Sequence, residues 1–112
     1  MSVLDLRQAN EVVSATVVTT DAYVAVITVH KRPGSASLFQ LIEDNVAAVL
    51  YEIRGSLVHV DAKYVTLTTD ASLAKAAIAY ETVTDAWVYV QVRVKSAVAG
   101  VSGQVEVYVS GD

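Results

Sequence analysis

The sequence predicts an all-β protein: a single-domain antiparallel β-sandwich or jelly roll, with room for one short helix. Three observations carry this expectation. Most of the apolar mass is valine and alanine, with aromatics only 7% of the chain, and valine's branched Cβ fits a pleated, half-buried surface better than a helix. Segments alternating with period two recur along the chain. Short polar corners rich in threonine and aspartate separate them. At 112 residues the chain fits one domain, whose core would bury about 65% of the unfolded surface. It divides into an extended N-terminal arm, residues 1–10, and a sandwich over 11–112.

The arm, MSVLDLRQAN, sets Val3, Leu4 and Leu6 among polar residues, a pattern that suits either a loose end or a segment adding to a neighbour's sheet edge. It has neither a basic n-region nor an unbroken apolar stretch, so no signal peptide is expected. Residues 11–19 and 22–30 flank a TTDA corner and are expected to form a hairpin. In the second, Tyr23, Ala25, Ile27 and Val29 share one face and Val24 and Val26 the other. That marks a central strand or one covered by another chain. HKRPGSAS (30–37) reads as a turn around Pro33-Gly34.

Over 38–50, the spacing of Leu38, Leu41, Ile42, Val46, Val49 and Leu50 allows an amphipathic helix. A hairpin turning at Glu43-Asp44-Asn45 is preferred, because VLYEI alternates and Asp-Asn is turn chemistry. The apolar face moves from odd positions before Gly55 to even positions after it, which predicts a bend or β-bulge there. Residues 62–69 read as a short strand. ASLAKAAIAY (71–80) follows Asp70, a good N-cap, so a short helix and an edge segment both remain open.

The C-terminal pair is the strongest pattern. TVTDAWVYVQVRVK (82–95) has valine at every even position from 88 to 94, and Val105, Val107 and Val109 repeat the motif. Antiparallel pairing with residue numbers summing to 199 would set Val92 opposite Val107 and Arg93 opposite Glu106. The ion pair would contribute about 0.2–1 kcal/mol, and each buried valine about 1.5–3 kcal/mol. VVTTDAYV (17–24), TLTTDASL (66–73) and TVTDAWV (82–88) share one wording and are read as strand–turn–strand corners built on Asx-turns. Their unequal separations exclude a repeat array, and a calcium reading lacks EF-hand spacing.

Several chemistries are disfavoured. The chain has no cysteine, which removes disulfides and thiolate sites. A net charge of −4 with eight scattered Lys and Arg residues argues against nucleic acid, and no apolar run approaches the ~20 residues of a membrane span. His30 and His59 lack HxH or HExxH spacing and any nucleophile elbow. KRPGSAS is not a P-loop, and Glu43-Asp44 is ordinary in a solvated turn. The expectation is a protein that is not an enzyme, with no catalytic residue, cofactor or metal. Its candidate interface is Trp87, Tyr89 and Arg93 on the non-valine face, Tyr108 across the expected ladder, and Val3, Leu4 and Leu6 of the arm. Aromatics on a sheet face can anchor a protein interface, stack on sugar rings or pack against the chain's own second layer.

The segment AWVYVQVRVKSAVAGVSGQVEVYVSG (86–111) resembles the valine-strand, Gly/Ser-loop, valine-strand endings of small tailed-phage virion proteins of the head decoration, or cement, type. The resemblance covers the last quarter of the chain and carries no defining site motif. It implies a β-sandwich or jelly roll made in the host cytoplasm and carried on the capsid surface as a dimer or trimer. There it would bind the major capsid protein or another virion protein and stabilise the shell without catalysis. Strands apolar on both faces independently favour a homo-oligomer or docking onto a larger surface. The alternative is a carbohydrate-binding module of a tail or adhesin, taking a glycan on Trp87 and Tyr89.

Overall fold

The computed structural model describes residues 3–6, 12–31, 36–84 and 87–111. Among these residues nine strands form two sheets that pack face to face: β1 (Val3–Leu6), β2 (Val12–Val18), β3 (Val24–Lys31), β4 (Ser37–Glu43), β5 (Val49–Ser56), β6 (Val65–Leu73), β7 (Ile78–Val83), β8 (Tyr89–Ser96) and β9 (Gln104–Gly111). The five-stranded sheet has the order β1-β3-β8-β5-β6 and the four-stranded sheet the order β2-β9-β4-β7. Every pairing is antiparallel except β1 with β3, which is parallel. The all-β sandwich expected from valine content and alternation is therefore the fold. The residues expected as an arm contribute Val3–Leu6 to the molecule's own sheet edge, with Val3 opposite Thr28 and Leu6 opposite Lys31.

Only the connection from β5 to β6 joins neighbours in one sheet; every other connection crosses from one sheet to the other. This corrects three local pairings. The strands flanking the first TTDA corner, β2 and β3, lie in different sheets and form no hairpin. Residues 38–50 are strand–turn–strand with no helix, yet β4 and β5 again belong to opposite sheets. β8 and β9 do not form a ladder: β8 lies between β3 and β5, and β9 between β2 and β4. Their valine faces meet across the core, where Val90, Val92, Val94, Val105, Val107 and Val109 are fully buried. The 96–103 loop spans the gap between layers rather than closing a hairpin. Arg93 accordingly faces Glu52 of β5, not Glu106.

Residues 71–80 are not helical; they finish β6, turn at 74–77 and begin β7. Among the described residues, the one helical element is a 3-10 turn at Asp61–Lys63. TLTTDASL is not a corner either. It lies inside β6, whose register against β5 slips between Tyr51 and Ile53 and again between Ile53 and Arg54. Asp70 supplies one irregularity, at φ 48°, a left-handed backbone that aspartate tolerates better than most residues. The third TTDA-like stretch, at 82–88, links β7 to β8, and its Asp85 and Ala86 lie outside the described residues.

Gly55 is not a bulge; it stays in register with Val90. The glycine is needed because the Trp87 ring lies on it: a Cβ there would sit 2.7 Å from the indole. The apparent phase change beyond it marks the end of β5, since Leu57, Val58 and Val60 are exposed in the following loop.

The turn carboxylate at Glu43 is not solvated. It is 2% exposed and accepts backbone N–H bonds from Val46 (3.0 Å), Ala47 (3.2 Å), Ala76 (2.9 Å) and Gln104 (3.3 Å). Burial opposes its charge, but those four donors outweigh it and hold the carboxyl below the usual range. One side chain thus fastens the β4–β5, β6–β7 and β8–β9 connections at one end of the sandwich.

Candidate functional site

The two outer faces differ sharply. On the five-stranded sheet, strand pairing sets Ala25, Arg93 and Glu52 in one row, Thr28, Gln91 and Arg54 in the next, and His30, Tyr89 and Ser56 in a third. Thr28, Gln91, Arg54, Glu52 and Ser56 are buried although they point away from the core. The 57–64 segment and the Tyr23 ring cover them. Gln91 Nε2 donates to Thr28 Oγ1 (2.9 Å), and Arg54 Nε donates to Gln91 Oε1 (3.2 Å). Arg54 also pairs with Asp61 (2.8 Å) and lies 4.7 Å from the Tyr64 ring centroid. Arg93 bonds Glu52, while its guanidinium and the Lys95 ammonium lie 5.2 and 4.8 Å from the Tyr23 ring.

The electrostatics follow from this packing. Arg54's hydrogen bond, and then its charge, holds the Asp61 carboxyl below the ordinary range. Burial, followed by the hydrogen bond to Asp70 and that residue's charge, pushes the Tyr23 phenol well up. At the end of the face, Tyr89 stacks with His30 (centroids 4.9 Å) and meets His59 at 5.4 Å. His30 reaches Asp5 (3.2 Å) and His59 reaches the Tyr64 hydroxyl (2.8 Å). Because β8 lies between β3, which carries His30, and β5, which leads to His59, the imidazoles occupy opposite faces of the Tyr89 ring. Among the described residues no group of three or more His, Cys, Asp or Glu side chains gathers to hold a metal. The buried polar side chains of this face, Thr28, Gln91, Arg54, Glu52 and Ser56, are engaged by neighbours, so this part of the face is covered from within the chain.

The outer face of the four-stranded sheet is open. Its rows are Val12–Ser110–Leu38–Thr82, Ser14–Tyr108–Gln40–Tyr80 and Thr16–Glu106–Ile42–Ile78, with Val18 beside Gln104. Val12, Val18, Leu38, Ile78, Tyr80 and Tyr108 are exposed, Tyr80 at 74% and Ile78 at 64%. Glu106 is the single charged side chain in these rows. With strands of six to eight residues, this face covers about 450 Å², at ~3.4 Å per residue and ~4.8 Å per strand.

The structure disperses the residues singled out from sequence. Tyr89 and Arg93 share the covered face of the five-stranded sheet, and Tyr108 lies on the opposite exterior. Trp87 joins neither: its ring packs over Gly55 against the core. Trp87 and Tyr89 therefore form no common platform, and both faces of the Tyr89 ring are occupied. Leu4 packs against the core, Val3 is half-buried in β1, and the Leu6 side chain lies outside the described residues. Sequence reasoning passed over Val12, Val18, Leu38, Ile78 and Tyr80. Their signal was present as apolar residues on the second face of strands whose first face is the core.

No family model matches the chain, and no curated protein does. Solved structures match its fold. PirA superposes with a TM-score of 0.65 at 8% identity, covering 91% of this chain and 95% of its own. The pre-peptidase C-terminal domain of collagenase from Bacillus anthracis has a TM-score of 0.56 at 10% identity, with 97% and 95% covered. PliG of Aeromonas hydrophila, a periplasmic inhibitor of g-type lysozyme, has a TM-score of 0.56 at 8% identity, with 99% and 96% covered. At these identities the likeness is one of fold, and the β-sandwich is what it shows.

Proposed function

We propose that this chain is a non-enzymatic structural protein that acts by docking onto another protein, in the manner of a phage capsid decoration protein. The observation that carries the docking role is the open outer face of the four-stranded sheet, where exposed Val12, Val18, Leu38, Ile78, Tyr80 and Tyr108 stand among neutral polar residues and one acidic pair, Glu106 with Asp44. Exposed apolar clusters mark interaction sites in soluble domains, and this one lies on regular strands, with Ser14 and Thr16 along the β2 edge, Thr82 on the β7 edge and Gln40 at its centre. The virion setting is supported by the resemblance of residues 86–111, and a small sandwich with an adhesive sheet suits it. An area near 450 Å² is below the ~800 Å² per partner of a standard interface. A single copy therefore docks weakly, and a regular shell offering many equivalent sites compensates through multiplicity.

Phage heads purified from the producing host test the proposal. The chain should co-sediment with them at a fixed ratio, and Leu38→Glu or Tyr108→Glu should release it while leaving thermal unfolding unchanged. Heads without the chain, or heads that retain both variants, would sink the reading.

A further inference from the structure

We infer that two copies of this chain pair through β7 about a two-fold axis at Tyr80, joining their four-stranded sheets into one continuous sheet. The inference goes beyond the docking role, since the pairing needs no third protein. It begins with the backbone. Glu43 N–H donates to Ala77 O (3.0 Å), and β4 and β7 pair Ile42 with Ile78 in antiparallel register. Backbone groups alternate sides along a strand, so Ala79, Glu81 and Val83 turn their N–H and C=O toward β4. Those of Ile78, Tyr80 and Thr82 point outward. Among the described residues β7 has a strand neighbour on one side only.

Natural edge strands are blunted by lysine, proline, a bulge, an inward-turned charge or a cover. β7, IAYETV, has of these only the inward-turned Glu81: it carries no lysine or proline, its register against β4 is regular, and Ile78 and Tyr80 are exposed. The neighbouring edge, β6, is by contrast interrupted twice. The one charge of β7, Glu81, is turned inward and accepts a hydrogen bond from the Tyr51 hydroxyl (3.2 Å). It lines a groove of about 360 Å³ between β6 and β7, with Thr66, Thr68 and Thr82.

Self-pairing has one favoured register. With Tyr80 opposite the partner's Tyr80, Ile78 meets the partner's Thr82 and Thr82 the partner's Ile78. All three outward-pointing residues are then used, giving about six backbone hydrogen bonds, two for each facing pair. Glu81 falls opposite the partner's Ala79. Sliding one way would set Glu81 against the partner's Glu81, a like-charge contact, sliding the other would centre the pair on Ala79, and either would leave one outward-pointing residue of each strand unpaired. The two-fold axis stands perpendicular to the sheet, so both outer faces look the same way and the docking area doubles to about 900 Å².

The absence of cysteine from the chain allows a direct test of this register. Facing residues in a hydrogen-bonded antiparallel pair have Cα atoms about 5.5 Å apart, inside the ~4.4–6.8 Å range of disulfides. Under mild oxidation Tyr80→Cys should cross-link to itself. Ile78→Cys and Thr82→Cys should each stay monomeric on a denaturing gel, because like positions are on the order of 13 Å apart, yet cross-link when mixed. Sedimentation equilibrium should show a concentration-dependent dimer of the unmodified chain. Tyr80→Pro should abolish it with the fold intact by circular dichroism, since that N–H makes no bond to β4. A strict monomer, a dimer that survives Tyr80→Pro, an open polymer, or Ile78→Cys linking to itself as readily as Tyr80→Cys would each overturn the inference.

Discussion

Replacing Glu43 with glutamine keeps the size of the side chain and removes its charge and half its accepting capacity. Four backbone N–H groups from three connections converge on the carboxylate at 2.9–3.3 Å. With its carbonyl at the Oε2 position a glutamine can still face Val46, Ala47 and Gln104 while its amide NH2 meets Ala76 donor to donor; turned the other way it keeps Val46 and Ala76 and opposes Ala47 and Gln104. Hydrogen bonds to a charged group are worth about 1.5–3 kcal/mol net, so losing one or two costs about 1.5–6 kcal/mol, a large share of the ~5–15 kcal/mol that holds a small domain together. Urea unfolding at neutral pH should show that loss as a lower midpoint at unchanged slope. The pH dependence has a defined sign. The folded-state pKa of Glu43 lies below its ordinary value, so its stabilisation is complete above about pH 4.3, the unfolded value, and fades as pH falls through the lower folded value. The gap between wild type and Glu43→Gln should therefore narrow on acidification. A variant within about 0.5 kcal/mol of wild type at pH 7, or a gap that widens in acid, would refute the clamp.

Three further changes probe the same framework. Gly103→Ala would place a Cβ 2.5 Å from the Ala47 carbonyl oxygen and 2.6 Å from Val49 Cγ1; a calorimetric melt should report a loss of about 1–3 kcal/mol, because backbone must move. Gly55→Ala should displace the Trp87 ring lying 2.7 Å from the new methyl, destabilising by a similar ~1–3 kcal/mol, and the emission of the single tryptophan should shift to the red as it meets water. Ala76, at φ 62°, bears the ~1–2 kcal/mol penalty of a left-handed alanine. Ala76→Gly should therefore raise the melting temperature, since its N–H can still donate to Glu43.

Much of the fold was legible because strand alternation is a local property. Val90, Val92 and Val94 announce a buried face whatever lies beyond it. Sheet membership was not legible, because a valine face looks identical whether its nearest valine strand is a ladder partner or the opposing layer. The long 96–103 connection was the available hint. Glu43 illustrates the other limit: in sequence it is a turn carboxylate, and its burial exists only once three connections converge from positions up to 61 residues away. Of the candidate interface, Tyr108 was found on an open face by alternation. Trp87 was misplaced because it precedes β8, and a two-residue period cannot be extended past the end of a strand. The second faces of β2, β4 and β7 were legible in principle, as Val12, Leu38 and Ile78 show, but their openness depends on what is absent above them.

The central strands of both sheets are the last two to be made. β8 divides β3 from β5, and β9 divides β2 from β4, so a nascent chain that has emerged only as far as residue 88 holds unconnected pieces of either layer. It has just the β5–β6 pair, the β4–β7 pair and the short β1–β3 contact to form. With nearly every pairing distant in sequence, loop-closure entropy must be met before native contacts reward it. Both sheets can therefore close only after β8 and β9 have emerged. Until then Val12–Val18 lacks its strand partner and the β4–β7 pair lacks its core, and the interval before closure is when the chain is most open to association with its neighbours.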